Sequence, residues 1–134
     1  MDVITKGRGI ARGSATGNLL ISDAPISFLS GVDPETGTII EDGHPLKGES
    51  IAGRIFAFPH GKGSTVGSYV IYALARNGRA PAAIINEEAE PIIATGAIIA
   101  GIPMIDHLDL PLSDLPDGAS VSVDADAGTV SWEG

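Results

Sequence analysis

The 134-residue chain contains no cysteine. Disulfides, thiol nucleophiles and any cysteine-ligated metal or iron-sulfur site are therefore absent from its own repertoire. Aromatic residues make up only 4% of a sequence that is 43% apolar, so a core has to be assembled from Ile, Val, Leu and Ala, a composition suited to β or α/β packing. Basic side chains are scarce as well: eight Lys and Arg stand against seventeen Asp and Glu, for a formal net charge of -9. Duplex binding depends on Lys and Arg neutralising phosphates, so nucleic acid is not an expected partner. All eight basic residues fall within the first 80 positions, and an anionic ligand is expected toward that part rather than the acidic C-terminal third. No run of eighteen apolar residues occurs, and no charged segment followed by an apolar stretch opens the chain; the expectation is a cytoplasmic protein with no membrane partner. His44, His60 and His107 are far apart in sequence, so no metal is expected on this chain alone.

The length fits a single domain spanning residues 1–134, since domains commonly run to about 100–150 residues. Residues 3–10 and 15–22, around Ala11-Arg12-Gly13-Ser14, read as a β-hairpin or as two strands about a tight connection. Residues 27–32 and 38–40 read as strands flanking the turn Asp33-Pro34-Glu35-Thr36-Gly37. Residues 51–58 form a buried strand that ends at Pro59-His60. A helix over 69–77, stopped by Asn77-Gly78, a strand over 82–85 and a helix over 89–100, ended near Gly101 and Pro103, complete a βαβα unit. Residues 102–105, 120–123 and 129–132 read as closing strands, the last two joined through Asp126-Ala127-Gly128. Helices being few, one face of the β part is expected to pack on other strands.

Between the buried strand and the first long helix lies Gly61-Lys62-Gly63-Ser64-Thr65-Val66-Gly67-Ser68. A strand opening through glycines into a helix leaves backbone N–H groups pointing one way at the positive end of the helix dipole, which suits an anion. Lys62 adds a charge; Ser64, Thr65 and Ser68 add hydroxyls; Ser64 or a neighbour is the expected helix cap. The spacing matches neither a Walker loop nor a GxGxxG fingerprint. A purely structural role, glycines for the turn and Ser64 as cap, accounts for the same residues at about 1 kcal/mol of stabilisation. Ser64 could also act as a base. The helix dipole supplies roughly 0.3–2 kcal/mol, little more than one pKa unit, so more positive charge is needed from Lys62, Arg54, another chain or a metal. The loop reads as half of a site. Asn86, ending the next strand, would share the loop's edge if the two strands are parallel, either orienting a carboxylate or capping the following helix.

The loop, together with Asn86-Glu87-Glu88-Ala89-Glu90-Pro91-Ile92, Gly96-Ala97-Ile98-Ile99-Ala100-Gly101-Ile102-Pro103 and the opening Gly7-Arg8-Gly9-Ile10-Ala11-Arg12-Gly13-Ser14-Ala15-Thr16-Gly17, resembles the swivel domain of the aconitase X family over essentially the whole chain. The resemblance implies an α/β (α+β) swivelling β/β/α domain, with barrel-like strands packed on a small βαβα unit. It also implies a lyase heteromer whose large subunit carries an iron-sulfur cluster, with no cofactor bound by this chain. Ser64 is then the proton acceptor, with Lys62, Gly63, Thr65, Ser68, Asn86 and Arg54 as candidate contacts to a small anionic substrate. For the archaeal isoprenoid branch, the implied reaction takes mevalonate 5-phosphate to trans-anhydromevalonate 5-phosphate. Other readings of the same fold are a hydroxyproline dehydratase-type subunit, a subunit with no catalytic residue, and a phosphohistidine carrier. The last requires a histidine in the loop, where this chain has Ser64 and Thr65.

Overall fold

The computed structural model describes residues 2–63 and 65–134. Eight strands are hydrogen-bonded in the order β1 (Asp2–Lys6), β8 (Thr129–Glu133), β7 (Ser120–Asp124), β3 (Ser14–Ile21), β4 (Ile55–Phe58), β5 (Ala83–Asn86), β6 (Met104–Asp106) and β2 (Arg8–Ala11). The two strands at the ends of this order, β1 and β2, are consecutive in sequence with Gly7 alone between them, so the sheet curls round on itself. Gly7 sits at the seam, donating its N–H to the Gly128 carbonyl at 2.8 Å. A Cβ there would lie 3.0 Å from Leu108 Cδ2 and closer still to the Asp106 carbonyl oxygen, so the close approach needs glycine.

β3 is the hinge between the two halves: residues 14–18 pair antiparallel with β7, and residues 19–21 pair parallel with β4. The parallel half continues β4-β5-β6, with α2 (Gly67–Arg76) and α3 (Pro91–Ala100) as crossovers. Alternation along these strands separates two cores. Phe56, Phe58, Ile84 and Met104 face the helices with Ile71, Leu74 and Ile93. Ile55, Ala57, Ala83, Ile85 and Ile105 face Val121, Val123 and Val130 of the antiparallel half. Strands thus pack on strands on one side and on helices on the other, the β/β/α layering expected from the sequence.

Several local expectations change. Residues 3–10 and 15–22 do not form a hairpin: β1 pairs with β8, β2 with β6, and β3 with β7 and β4. Alternation specifies which side chains face inward but not which strand lies alongside, and here every partner is distant in sequence. Residues 28–31 are a short helix, α1 (Phe28–Gly31), because Phe28 turns inward and packs on Phe58 with ring centroids 6.0 Å apart. Residues 38–40 make only isolated bridges, Thr38 to Ser50 and Ile39 to Val32. The intervening turn does close, Gly37 donating to the Asp33 carbonyl at 2.8 Å with φ of 76°. The strand expected at 51–58 shortens to β4, since the chain turns through Gly53 at φ 70°. β6 joins β5 in parallel, making the middle of the chain a βαβαβ unit rather than βαβα.

Candidate functional site

β4, β5 and β6 run the same way, so their carboxyl ends deliver three segments to one edge: the glycine loop after Phe58, residues 86–90 after β5, and His107 after β6. Parallel α/β units bind their ligands at this edge. Phe58 and Asn86 are register partners, which places Asn86 beside the loop's root. Asn86 is fully buried; its Nδ2 donates to the Phe58 carbonyl at 3.0 Å and to that of Ile85 at 3.2 Å. Two acceptors fix the amide's orientation and leave Oδ1 as a buried acceptor with no hydrogen bond among the described residues.

The loop is held from three sides. Gly61 bridges Ile26, and the Lys62 N–H donates to the Ile26 carbonyl at 3.0 Å. A Cβ on Gly61 would meet Ile93 Cδ1 at 2.7 Å and Glu90 Oε1 at 2.9 Å, and one on Gly63, whose φ is 95°, would meet Ser27 Oγ at 2.7 Å. Neither glycine is interchangeable. Lys62 Nζ lies 3.1 Å from Glu41 Oε2, while Glu41 Oε1 accepts the Ser27 N–H at 2.9 Å. Burial pushes the Glu41 carboxyl up, but the Ser27 N–H and then Lys62 outweigh it and hold it below the usual carboxylate range. The charge on Lys62 is therefore already matched by a carboxylate of this chain.

The start of α2 is less open than the sequence suggested. Its cap is Val66 rather than a hydroxyl residue, with no side-chain cap bond. The Ser68 N–H turns to the Thr65 carbonyl at 3.4 Å and the Tyr69 N–H to that of Val66 at 3.0 Å, while Ser68 Oγ donates to the Thr65 carbonyl at 3.1 Å. α3 is capped strongly: Glu90 accepts from Ile92 N–H at 3.0 Å and Ile93 N–H at 2.6 Å, Pro91 opens the first turn, and Gly101 closes the helix at φ 72°. That is why it begins at Pro91 and not at 89.

Of the expected site residues, Lys62, Gly63, Thr65, Ser68 and Asn86 gather at this edge. Ser64 lies outside the described residues. Arg54 does not join them: it precedes β4, at the opposite end of the strand from the loop, with Nη1 3.5 Å from the Ser50 carbonyl. His60 Nδ1 donates to the Gly61 carbonyl at 2.8 Å. Among the described residues, no group of three or more His, Asp or Glu is placed to hold a metal ion.

Sequence reasoning missed the strongest ion pair at this edge. Asp106, fully buried at the end of β6, accepts from Arg8 Nε at 3.0 Å, Arg8 Nη2 at 2.8 Å and the Ala89 N–H at 2.7 Å. It ties β2 to the segment that caps α3, whose Glu90 leaves no room for a side chain on Gly61. His107, beside it, carries the sole positive φ, 52°, among the described non-glycine residues.

Residues 4–132 match the aconitase X swivel domain family. The chain belongs to that family. It is 59% identical to the phosphomevalonate dehydratase small subunit of Thermococcus onnurineus, over 96% of this chain and 97% of the relative. It is 58% identical to the protein of the same name from Methanocella arvoryzae, over 93% and 96%. The crystal structure of Thermococcus kodakaraensis aconitase X in its holo form superposes with a TM-score of 0.91 at 56% identity, covering 96% of both chains. A solution NMR structure of a UPF0107 protein superposes at 0.87 with 49% identity, covering 96% of this chain and 97% of that one. The swivel-domain fold expected from the sequence and the family it resembled are thus both found.

Proposed function

We propose that this chain is the small subunit of a heteromeric hydro-lyase that converts mevalonate 5-phosphate to trans-anhydromevalonate 5-phosphate, with Ser64 as the proton acceptor. The observation that carries the reading is the near end-to-end match, at 59% identity, to a relative named phosphomevalonate dehydratase small subunit. The reaction removes a proton from the carbon next to the carboxylate and hydroxide from the adjacent carbon, leaving a conjugated double bond. This chain contributes the base and its setting: glycines let the substrate approach the loop backbone, and Asn86 and Glu90 anchor the segments on either side.

A large subunit completes the site. The chain has no cysteine and offers no three-ligand acidic or histidine cluster among the described residues, so an iron-sulfur cluster belongs on the partner. Such a cluster supplies Lewis acidity to the departing hydroxyl. Because Lys62 is already paired with Glu41, the cations that meet the phosphate and carboxylate, and that make a serine hydroxyl basic, come mainly from the partner as well. Relatives' names favour the phosphorylated mevalonate over hydroxyproline. A phosphocarrier role has no support in the loop, where His60 precedes the glycines and its Nδ1 is engaged by Gly61.

The test is Ser64→Ala in the two-chain enzyme. Removing a positioned general base is expected to lower turnover by about 10²–10⁴-fold while the subunits still copurify. Unchanged turnover refutes Ser64 as the base; failure of the wild-type chain to assemble with any larger chain refutes the subunit reading.

A further inference from the structure

We infer that the outer face of the α2–α3 layer is the surface on which the large subunit docks, an inference that rests on the two-subunit reading above. α3 contains no charged residue, and Thr95 is its one polar side chain. α2 carries a single charge, Arg76, at its far end. In a chain with seventeen Asp and Glu, these two helices hold none. A helix apolar on all sides is one that is covered, yet Ile98 and Ile99 stand 60% and 61% exposed.

Tyr69, Tyr72 and Ile99 lie together in one band, and Ile98 lines the adjoining cleft on the other side of α3 with Ile10, Ala11 and Arg12. Gly96 brings the helices together, a Cβ there meeting Ile71 Cδ1 at 2.8 Å and Ser68 Cα at 3.3 Å. Outside that contact, Tyr69, Tyr72, Thr95 and Ile99 line a shallow groove of about 310 Å³. Tyr69 is 73% exposed. An amphipathic ring standing out of an apolar, charge-depleted patch is the composition of an interface centre, where aromatic anchors are enriched and charges depleted.

The position of the band selects the occupant. It starts at exposed Val66, inside the glycine loop, and passes through Ser68, whose hydroxyl bonds back to Thr65. A partner that brings its cluster to the loop therefore already stands over the head of α2, and continuing down α2 and α3 covers the band in the same approach. A second copy of this chain docked there would instead present one glycine loop to another and complete neither site.

The test uses the chain, its large subunit and three variants: Ile98→Asp/Ile99→Asp, Tyr69→Ala, and Ile4→Asp on β1 as a control of matched exposure, 60%. Affinity for the large subunit is read by calorimetry, and folding of each variant by circular dichroism. The double variant is expected to weaken binding by roughly 100-fold or more and Tyr69→Ala by about 10-fold, with Ile4→Asp unchanged. Tyr69→Ala removes an exposed ring and guards against misfolding of the double variant. Wild-type affinity in both helix variants overturns the inference, as does a self-dimer of the isolated chain that the double variant dissolves. Ser64→Ala separates the two claims: lost turnover with normal docking by the helix variants sinks the docking surface alone, whereas normal turnover sinks the assignment of Ser64.

Discussion

Asp106 offers the sharpest test of how the site edge is held. Asparagine at this position keeps the shape but replaces one carboxylate oxygen with a donor. The fully buried group then faces three donors, Arg8 Nε, Arg8 Nη2 and the Ala89 N–H, with one acceptor in place of two. At least one charge-assisted bond is lost and one donor opposes another, a cost of about 3 kcal/mol. For a domain of this size that corresponds to a fall in Tm of roughly 10 °C. Trp132, the single tryptophan, lies in β8 against the strand-side core and reports unfolding by fluorescence. Burial pushes the Asp106 carboxyl up, but the Arg8 hydrogen bonds, the Ala89 N–H and the Arg8 charge outweigh it, and the group titrates below the usual carboxylate range. A depressed folded pKa means that the stabilisation is fully present above the unfolded value, about 3.9, and is lost as pH falls through the folded one. The difference between wild type and Asp106→Asn is therefore constant near neutrality and narrows below about pH 4. Glu41 is depressed in both proteins and cancels from the comparison. A difference under about 1 kcal/mol at pH 7, or one that widens on acidification, refutes the account.

Gly63→Ala forces a side chain into φ 95° and against Ser27 Oγ at 2.7 Å; we expect a loss of about 1–2 kcal/mol in thermal unfolding and, on the proposed role of Ser64, a fall in turnover of the assembled enzyme of more than ~10-fold, because a small displacement of the loop would misplace the proposed base. Gly96→Val drives α2 and α3 apart at Ile71 and Ser68, costing about 1–3 kcal/mol as read by denaturant midpoint, and it should weaken docking of the large subunit. Asn86→Asp sets a carboxylate against the Phe58 and Ile85 carbonyls in a fully buried place, and urea titration should show a loss of about 2–4 kcal/mol.

The parts of this protein legible in its sequence are those fixed by local chemistry. Asn77-Gly78 stops α2, with Arg79 donating back to the Leu74 carbonyl at 2.8 Å, and Gly128 turns β7 into β8 at φ 74°. The apolar run of β4 leads straight into the glycine loop. What eluded it depends on chain segments that fold together from a distance: Arg8 finding Asp106 and β1 finding β8 from about a hundred residues away, and Lys62 finding Glu41 across the intervening loop. Arg54 illustrates the difference, since seven residues before Gly61 seemed close while a buried strand places it at the other end of the sheet.

The same separation bears on function. The cations Lys62 and Arg8 at the site edge are each matched internally, Lys62 by Glu41 and Arg8 by Asp106, while Glu87 and Glu88 stand exposed beside them. The -9 chain therefore offers an anionic substrate a glycine backbone and hydroxyls with little net attraction. A dianionic or trianionic substrate is accordingly expected to bind weakly to the isolated chain and to depend on the partner for affinity. Calorimetry with mevalonate 5-phosphate decides the point: measurable binding to this chain alone, surviving at about 0.15 M salt where exposed charges are screened, would show that the partner's charges are not what holds the substrate.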